Sequence, residues 1–221
     1  MGGIKSFTGS NPVPVDLAEK LGADGIRIIL NTMWMAYYDL YSDGNDYSTA
    51  DEDSITVEWY TKLFDRWTSE NRASQVRVKL IPISQFPDET HKKPFGKPPT
   101  IDFCFRSWNK NEGYFGAECK RLNKSNNKLT KEYVVNGVMR YVDGRYASQT
   151  CVSAMIGYLQ GGRISDIVTD LRQALLTSSL EENLTRELYV PDPEYTTVHK
   201  RSITTQRFLL YHLFFDFTSK H

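Results

Sequence analysis

"TIDFCFRSWNKNEGYFGAECKRLN", residues 100–123, decides how the rest of the chain is read. Two strand-like runs, 100–106 and 113–121, flank the turn SWNKNEG. Alternate residues of a strand share a face, so Glu118 and Lys120 point one way and Cys119 the other. If the two runs pair, Asp102 can be placed on the face of Glu118 and Lys120. Two acids and a lysine at such positions need a reason, because an unpaired buried carboxylate is costly and two neighbouring ones repel. A divalent cation relieves both problems, and hard oxygen donors favour Mg²⁺ or Mn²⁺. Beside such an ion, Lys120 can hold a water and offset charge building on a phosphate, while the metal acidifies that water. The competing reading is an ordinary salt bridge on a solvent-facing strand. Of all the glutamates, only Glu118 is followed two residues later by lysine.

Upstream, residues 16–41 place Ile26, Ile29, Leu30, Met33, Trp34 and Tyr37 at helical spacing. A second helix over about 54–70 carries Trp59, Tyr60, Leu63, Phe64 and Trp67 on one stripe, with Ser54 as N-cap. Glu58 borders that stripe. The pattern then alternates through 74–84, a strand, and a loop rich in Pro and Lys is expected over 84–99. Downstream come a helix over 129–142 stopped by Asp143-Gly144, an apolar strand over 150–159, an amphipathic helix over 163–180 and a last strand over 207–218. The first three strands can form a meander, and the helix after them allows a parallel crossover. The expected architecture is α/β, a mixed sheet with helices on its faces.

With 221 residues and 27 basic against 27 acidic side chains, the chain suits one domain of zero net charge. The charges are unevenly placed. Residues 90–145 hold twelve Lys/Arg against five Asp/Glu, whereas residues 1–60 hold three against ten. A basic middle around the acidic motif suits a polyanion such as nucleic acid, although charged loops that neutralise each other give the same totals. Cys104, Cys119 and Cys151 are widely spaced and lack a C-x-x-C pair, which argues against a disulfide framework or zinc site and for a reducing cytoplasm. No apolar run approaches the roughly 20 residues of a membrane span, and no signal peptide is seen. No glycine-rich phosphate loop is present. His212 reads as a hydrogen-bonded core histidine, His199 as a loop residue, and Cys104 as a small core residue. Arg140, Tyr141, Arg145 and Tyr146 interleave charge and rings, a pattern that suits phosphate contact and base stacking or simple packing of a helix end.

The motif TIDFCFR…GYFGAECKRLN resembles the signature of the PD-(D/E)xK nuclease superfamily, the restriction-endonuclease-like phosphodiesterases. The resemblance covers roughly 52–218 and implies an αβββαβ core with an additional C-terminal helix and strand. Residues 1–51 would be an N-terminal helical extension of a single nuclease domain, 1–221. It assigns the family's catalytic acids and lysine to Asp102, Glu118 and Lys120. The acid from the first core helix is Glu58, with Glu52 and Glu70 as alternatives. The implied metal ligands are Asp102, Glu118, the main-chain carbonyl of Cys119, and Glu58, holding Mg²⁺ or Mn²⁺. The family's usual proline before the aspartate is replaced by Ile101. The segment EYVVNGVMRYVDGRYASQTCVSAMIGYLQ is similar to parts of bacterial anti-phage defence nucleases. The expected function is therefore a metal-dependent endonuclease, acting on DNA, with a homodimer or a partner subunit of a defence complex to help it grip. The alternative is a catalytically inactive nuclease-like subunit that binds nucleic acid or protein.

Overall fold

The computed structural model describes residues 24–69, 79–89, 97–107, 113–180, 184–187, 194–201 and 207–218. Helices α1 (Gly25–Ser42) and α2 (Glu52–Ser69) precede strands β1 (Ile81–Pro87), β2 (Thr100–Arg106) and β3 (Tyr114–Leu122). A continuous helix, α3, then runs as Asn127–Tyr133, a π-helical turn Val134–Val138 and Met139–Val142. β4 (Val152–Leu159), α4 (Ile164–Thr177), β5 (Thr185–Glu187), β6 (Glu194–Lys200) and β7 (Arg207–Asp216) complete the chain. The sheet order is β1-β2-β3-β4-β7-β6-β5. β1, β2 and β3 form an antiparallel meander, β4 runs parallel to β3, and β7 runs parallel to β4. The mixed α/β architecture expected from the periodicity is present.

Strand parity divides the core into two layers. One face carries Phe103, Phe105, Phe115, Ala117, Cys119, Ile156, Tyr158 and Phe215 beneath α1 and α2. The other carries Cys104, Leu122, Met155, Leu159 and Phe214 beneath α3 and α4. The stripe read in α1 is buried along its length, and Tyr37 stacks on Phe215 with ring centroids 4.6 Å apart. Tyr37 also donates from its hydroxyl to the Asp216 carbonyl. α1 therefore shares a core with α2 and the sheet. Residues 16–23 of the expected first helix lie outside the described residues.

Three local expectations are corrected. The helix cap is Asp51, not Ser54: Ile55 N–H donates to the Asp51 carbonyl, and Asp51 Oδ1 accepts the Ser54 N–H at 2.8 Å. β1 starts at Ile81 and consumes residues 84–87 of the expected loop; the start of the expected strand, 74–78, lies outside the described residues. Pro87 obscured its end, because proline donates no ladder hydrogen bond. It is tolerated here since β1 pairs with β2 alone at the sheet's edge. Finally, His199 is not in a loop but buried in β6, a strand that short alternation among charged residues hid.

His212 and Cys104 are core residues as read. All three cysteines are buried thiols. Among the described residues, no helix is long and apolar enough to cross a membrane.

Candidate active site

The ladder between β2 and β3 runs from Arg106↔Tyr114 to Phe103↔Ala117 and stops there. β3 continues along β4, from Ala117↔Ala154 to Leu122↔Leu159. The two strands of the hairpin thus part immediately before Asp102 and Glu118. This fork leaves β3 backbone donors without a β2 ladder partner, and one is met by a side chain: Cys119 N–H donates to Asp102 Oδ2 at 2.6 Å.

Glu118 lies in the fork with its side chain 2% exposed. Its Oε1 accepts from Lys120 Nζ (3.1 Å) and Arg140 Nη1 (3.2 Å). Its Oε2 is buried without a hydrogen-bond partner among the described residues. Burial first, and then the charge of Asp102, push the Glu118 carboxyl up to about 8, although Lys120 and Arg140 pull against them. Asp102 is also raised by burial, partly offset by Lys120 and the Cys119 N–H. Two carboxylates that raise or crowd each other in a buried fork form a site short of positive charge.

Lys120 shows what such a site attracts. Its Nζ donates to Glu52 Oε1 (2.7 Å) and the Cys119 carbonyl (2.6 Å), besides contacting Glu118 Oε1. Burial alone would lower its pKa, but Glu118, Asp102 and Glu52 outweigh burial and hold it above the usual lysine range.

The acid delivered by α2 is Glu52. Its Oε1 takes the Lys120 ammonium and its Oε2 the Arg121 N–H at 3.1 Å. Glu58 is not brought to the fork: it is exposed and accepts from the Tyr47 hydroxyl at 2.5 Å. Glu70 lies outside the described residues. Glu58 borders the apolar stripe as the periodicity required, but the helix lies so that its first turn, not its second, reaches β3.

Arg140 is the residue whose place in this cluster the sequence left open. The helix-end pattern flagged it together with Tyr141, Arg145 and Tyr146, but the four part company in the fold. Tyr141 and Tyr146 are fully buried and donate to the Ala154 and Thr100 carbonyls. Base stacking by these rings is therefore corrected to core packing. Arg145 pairs with Asp143 at 2.7 Å. Only Arg140 turns to Glu118.

Among the described residues, no three His, Cys, Asp or Glu side chains converge into a metal-binding group. The donors for a cation are instead mixed: the carboxylates of Asp102 and Glu118 with the Cys119 carbonyl. The unpartnered Glu118 Oε2 and the ammonium gathered onto Glu118 and the Cys119 carbonyl indicate that this set suits a hard cation. Comparison with protein-family models, with curated proteins and with solved structures finds no match for this chain.

Proposed function

We propose that this protein is a metal-dependent phosphodiesterase acting on nucleic acid, of the restriction-endonuclease-like PD-(D/E)xK kind. The observation that carries the reading is the fork itself: buried Glu118 with a free oxygen, next to Asp102 and Lys120, where two strands part. The order α2-β1-β2-β3-α3-β4, with β4 parallel to β3, supports it as well. A solvated ion pair needs none of this burial, which speaks against the simple salt bridge.

Asp102, Glu118 and the Cys119 carbonyl would hold Mg²⁺ or Mn²⁺. Once bound, the ion supplies acidification of a water and polarisation of a phosphoryl oxygen. Lys120 orients the attacking water and counters charge that develops on the phosphate, an interaction worth most in the transition state. Glu52 holds the Lys120 ammonium and the Arg121 amide, so it sets where that charge sits. DNA is the expected substrate, in line with the resemblance.

The test is cleavage of supercoiled plasmid and of single-stranded DNA with Mg²⁺, Mn²⁺ or EDTA. Cleavage is expected with either metal, none in EDTA, and none from Glu118→Gln with either metal. Cleavage that persists in EDTA, or that Glu118→Gln retains, overturns the reading.

A further inference from the structure

Arg140 stands at the candidate site with donors to spare. Lys120 is engaged by Glu52, Glu118 and the Cys119 carbonyl. Among the described residues Arg140 forms hydrogen bonds through Nη1 alone, to Glu118 Oε1 at 3.2 Å and to Tyr146 Oη at 2.6 Å. Its side chain is 31% exposed, against 2% for Glu118. One edge of the guanidinium therefore faces the buried carboxylate, while Nε and Nη2 remain available to a ligand.

The guanidinium is held in place. Tyr146 is fully buried and gives its only hydroxyl proton to the Thr100 carbonyl at 2.6 Å, so its oxygen accepts from Arg140. The guanidinium carbon also lies 5.5 Å from the Tyr146 ring centroid. Thr100 is two residues before Asp102, so this clamp ties Arg140 to the strand that supplies the first acid. The π turn Val134–Val138 lies one turn before Arg140 in α3, and a Cβ on its Gly137 would stand 3.9 Å from Lys120 Cγ.

A fixed guanidinium with a free edge matches a pair of phosphate oxygens better than any other side chain does. We propose that Arg140 is the phosphate-contacting residue of this site, presenting Nε and Nη2 to a phosphodiester, and that Tyr146 is its positioning residue. The inference rests on the phosphodiesterase reading and adds the group that grips the substrate.

The full chain is tested as wild type, Arg140→Ala, Arg140→Lys and Tyr146→Phe. Binding of a fluorescent DNA duplex is measured with Ca²⁺ in place of Mg²⁺, Mn²⁺ affinity by calorimetry, and KM and kcat by cleavage. Arg140→Ala is expected to weaken DNA binding roughly tenfold to a hundredfold, the usual effect of losing hydrogen bonds to a charged group. Its Mn²⁺ affinity should not fall, since a cation beside Glu118 has been removed. Arg140→Lys keeps the charge and should recover only part of the binding, because it lacks the fork. Tyr146→Phe should raise KM more than it lowers kcat. If Arg140 merely props Glu118, the alanine and lysine variants will bind DNA like wild type while Mn²⁺ affinity shifts. That result overturns the proposal and leaves the phosphodiesterase reading standing, since wild type still cleaves. If wild type neither binds nor cleaves DNA with any of these metals, the reading falls and the inference with it.

Discussion

Lys120 is held by three oxygens at once, from Glu52, Glu118 and the Cys119 carbonyl, which fixes its ammonium beside both acids. Its chemistry is felt when a phosphate gains charge, so Lys120→Ala should reduce cleavage about a hundredfold, roughly 3 kcal/mol, with the fold retained by circular dichroism. Wild-type rates from this variant would show that another group orients the water. Asp102→Ala removes a carboxylate from the cation's donors and an acceptor from the Cys119 amide. Its activity should return in part as Mn²⁺ is titrated upward, whereas that of Lys120→Ala should not. The two candidate acids of α2 separate cleanly: Glu58→Ala should cleave like wild type, and Glu52→Ala should lose activity because Lys120 and the Arg121 amide lose their partner. Parallel cleavage curves of the two alanine variants decide this.

The elements that carry these residues are positioned by small contacts. Asp51 accepts at the start of α2, one residue before Glu52, and the acids of the first turn suit the helix dipole. Asp51→Ala should cost about 1 kcal/mol in urea unfolding, the usual worth of a cap. It should also lower activity, because the turn that frays is the one that presents Glu52. In α3, Gly137 lets the π turn approach β4: a Cβ there would stand 2.3 Å from Met155 Cε, inside a fully buried layer. The atoms in the way are the flexible end of Met155, so Gly137→Ala is expected to destabilise by about 1 kcal/mol, the low end for overpacking. In a Met155→Ala background the same change should cost markedly less, a coupling that a double-mutant cycle measures. Additive costs would place the strain elsewhere.

Across the whole molecule, a buried polar chain ties the helix layer to the far strands of the sheet. Tyr133 Oη lies 2.9 Å from His212 Nδ1, and Thr197 Oγ1 bridges the Nε2 atoms of His212 (2.8 Å) and His199 (2.7 Å). Burial, and then His199, lowers His212 to about 3; burial, and then Arg201, lowers His199 to about 4. Both rings are neutral in the fold, while the unfolded chain takes up protons below about 6.5. Their contribution to stability is therefore full above pH 6.5 and shrinks as pH falls toward the folded values. Glu118, protonated in the fold up to about 8, leans the other way over part of that range. The informative quantity is thus a difference: between pH 7 and 5, in EDTA, the Tm of wild type should fall more than that of His212→Gln. Equal slopes would mean that the histidines do not titrate on unfolding.

How far the sequence reaches depends on whether a feature is set within an element or between elements. Strand geometry alone puts Glu118 and Lys120 on one face and Cys119 on the other, and the turn before them calls the hairpin into being. The same local periods yield the stripe of α1, the end of α3 near Gly144, whose φ is +77°, and the apolar strands β4 and β7. Periodicity also assigns Glu58 a place on its helix, but not how far along the sheet the helix lies, and that offset brings Glu52 to Lys120 instead. Nor can composition separate Tyr146, buried and bound to Thr100, from an exposed ring, because both are tyrosines after a helix. β1, with its prolines, and the short strands β5 and β6 are strands by virtue of the neighbours they pair with. The fork between β2 and β3 is of the same kind. Spacing along one chain segment is dictated by backbone geometry, whereas the distance between two segments is set by how their side chains pack, and only the folded structure contains that packing.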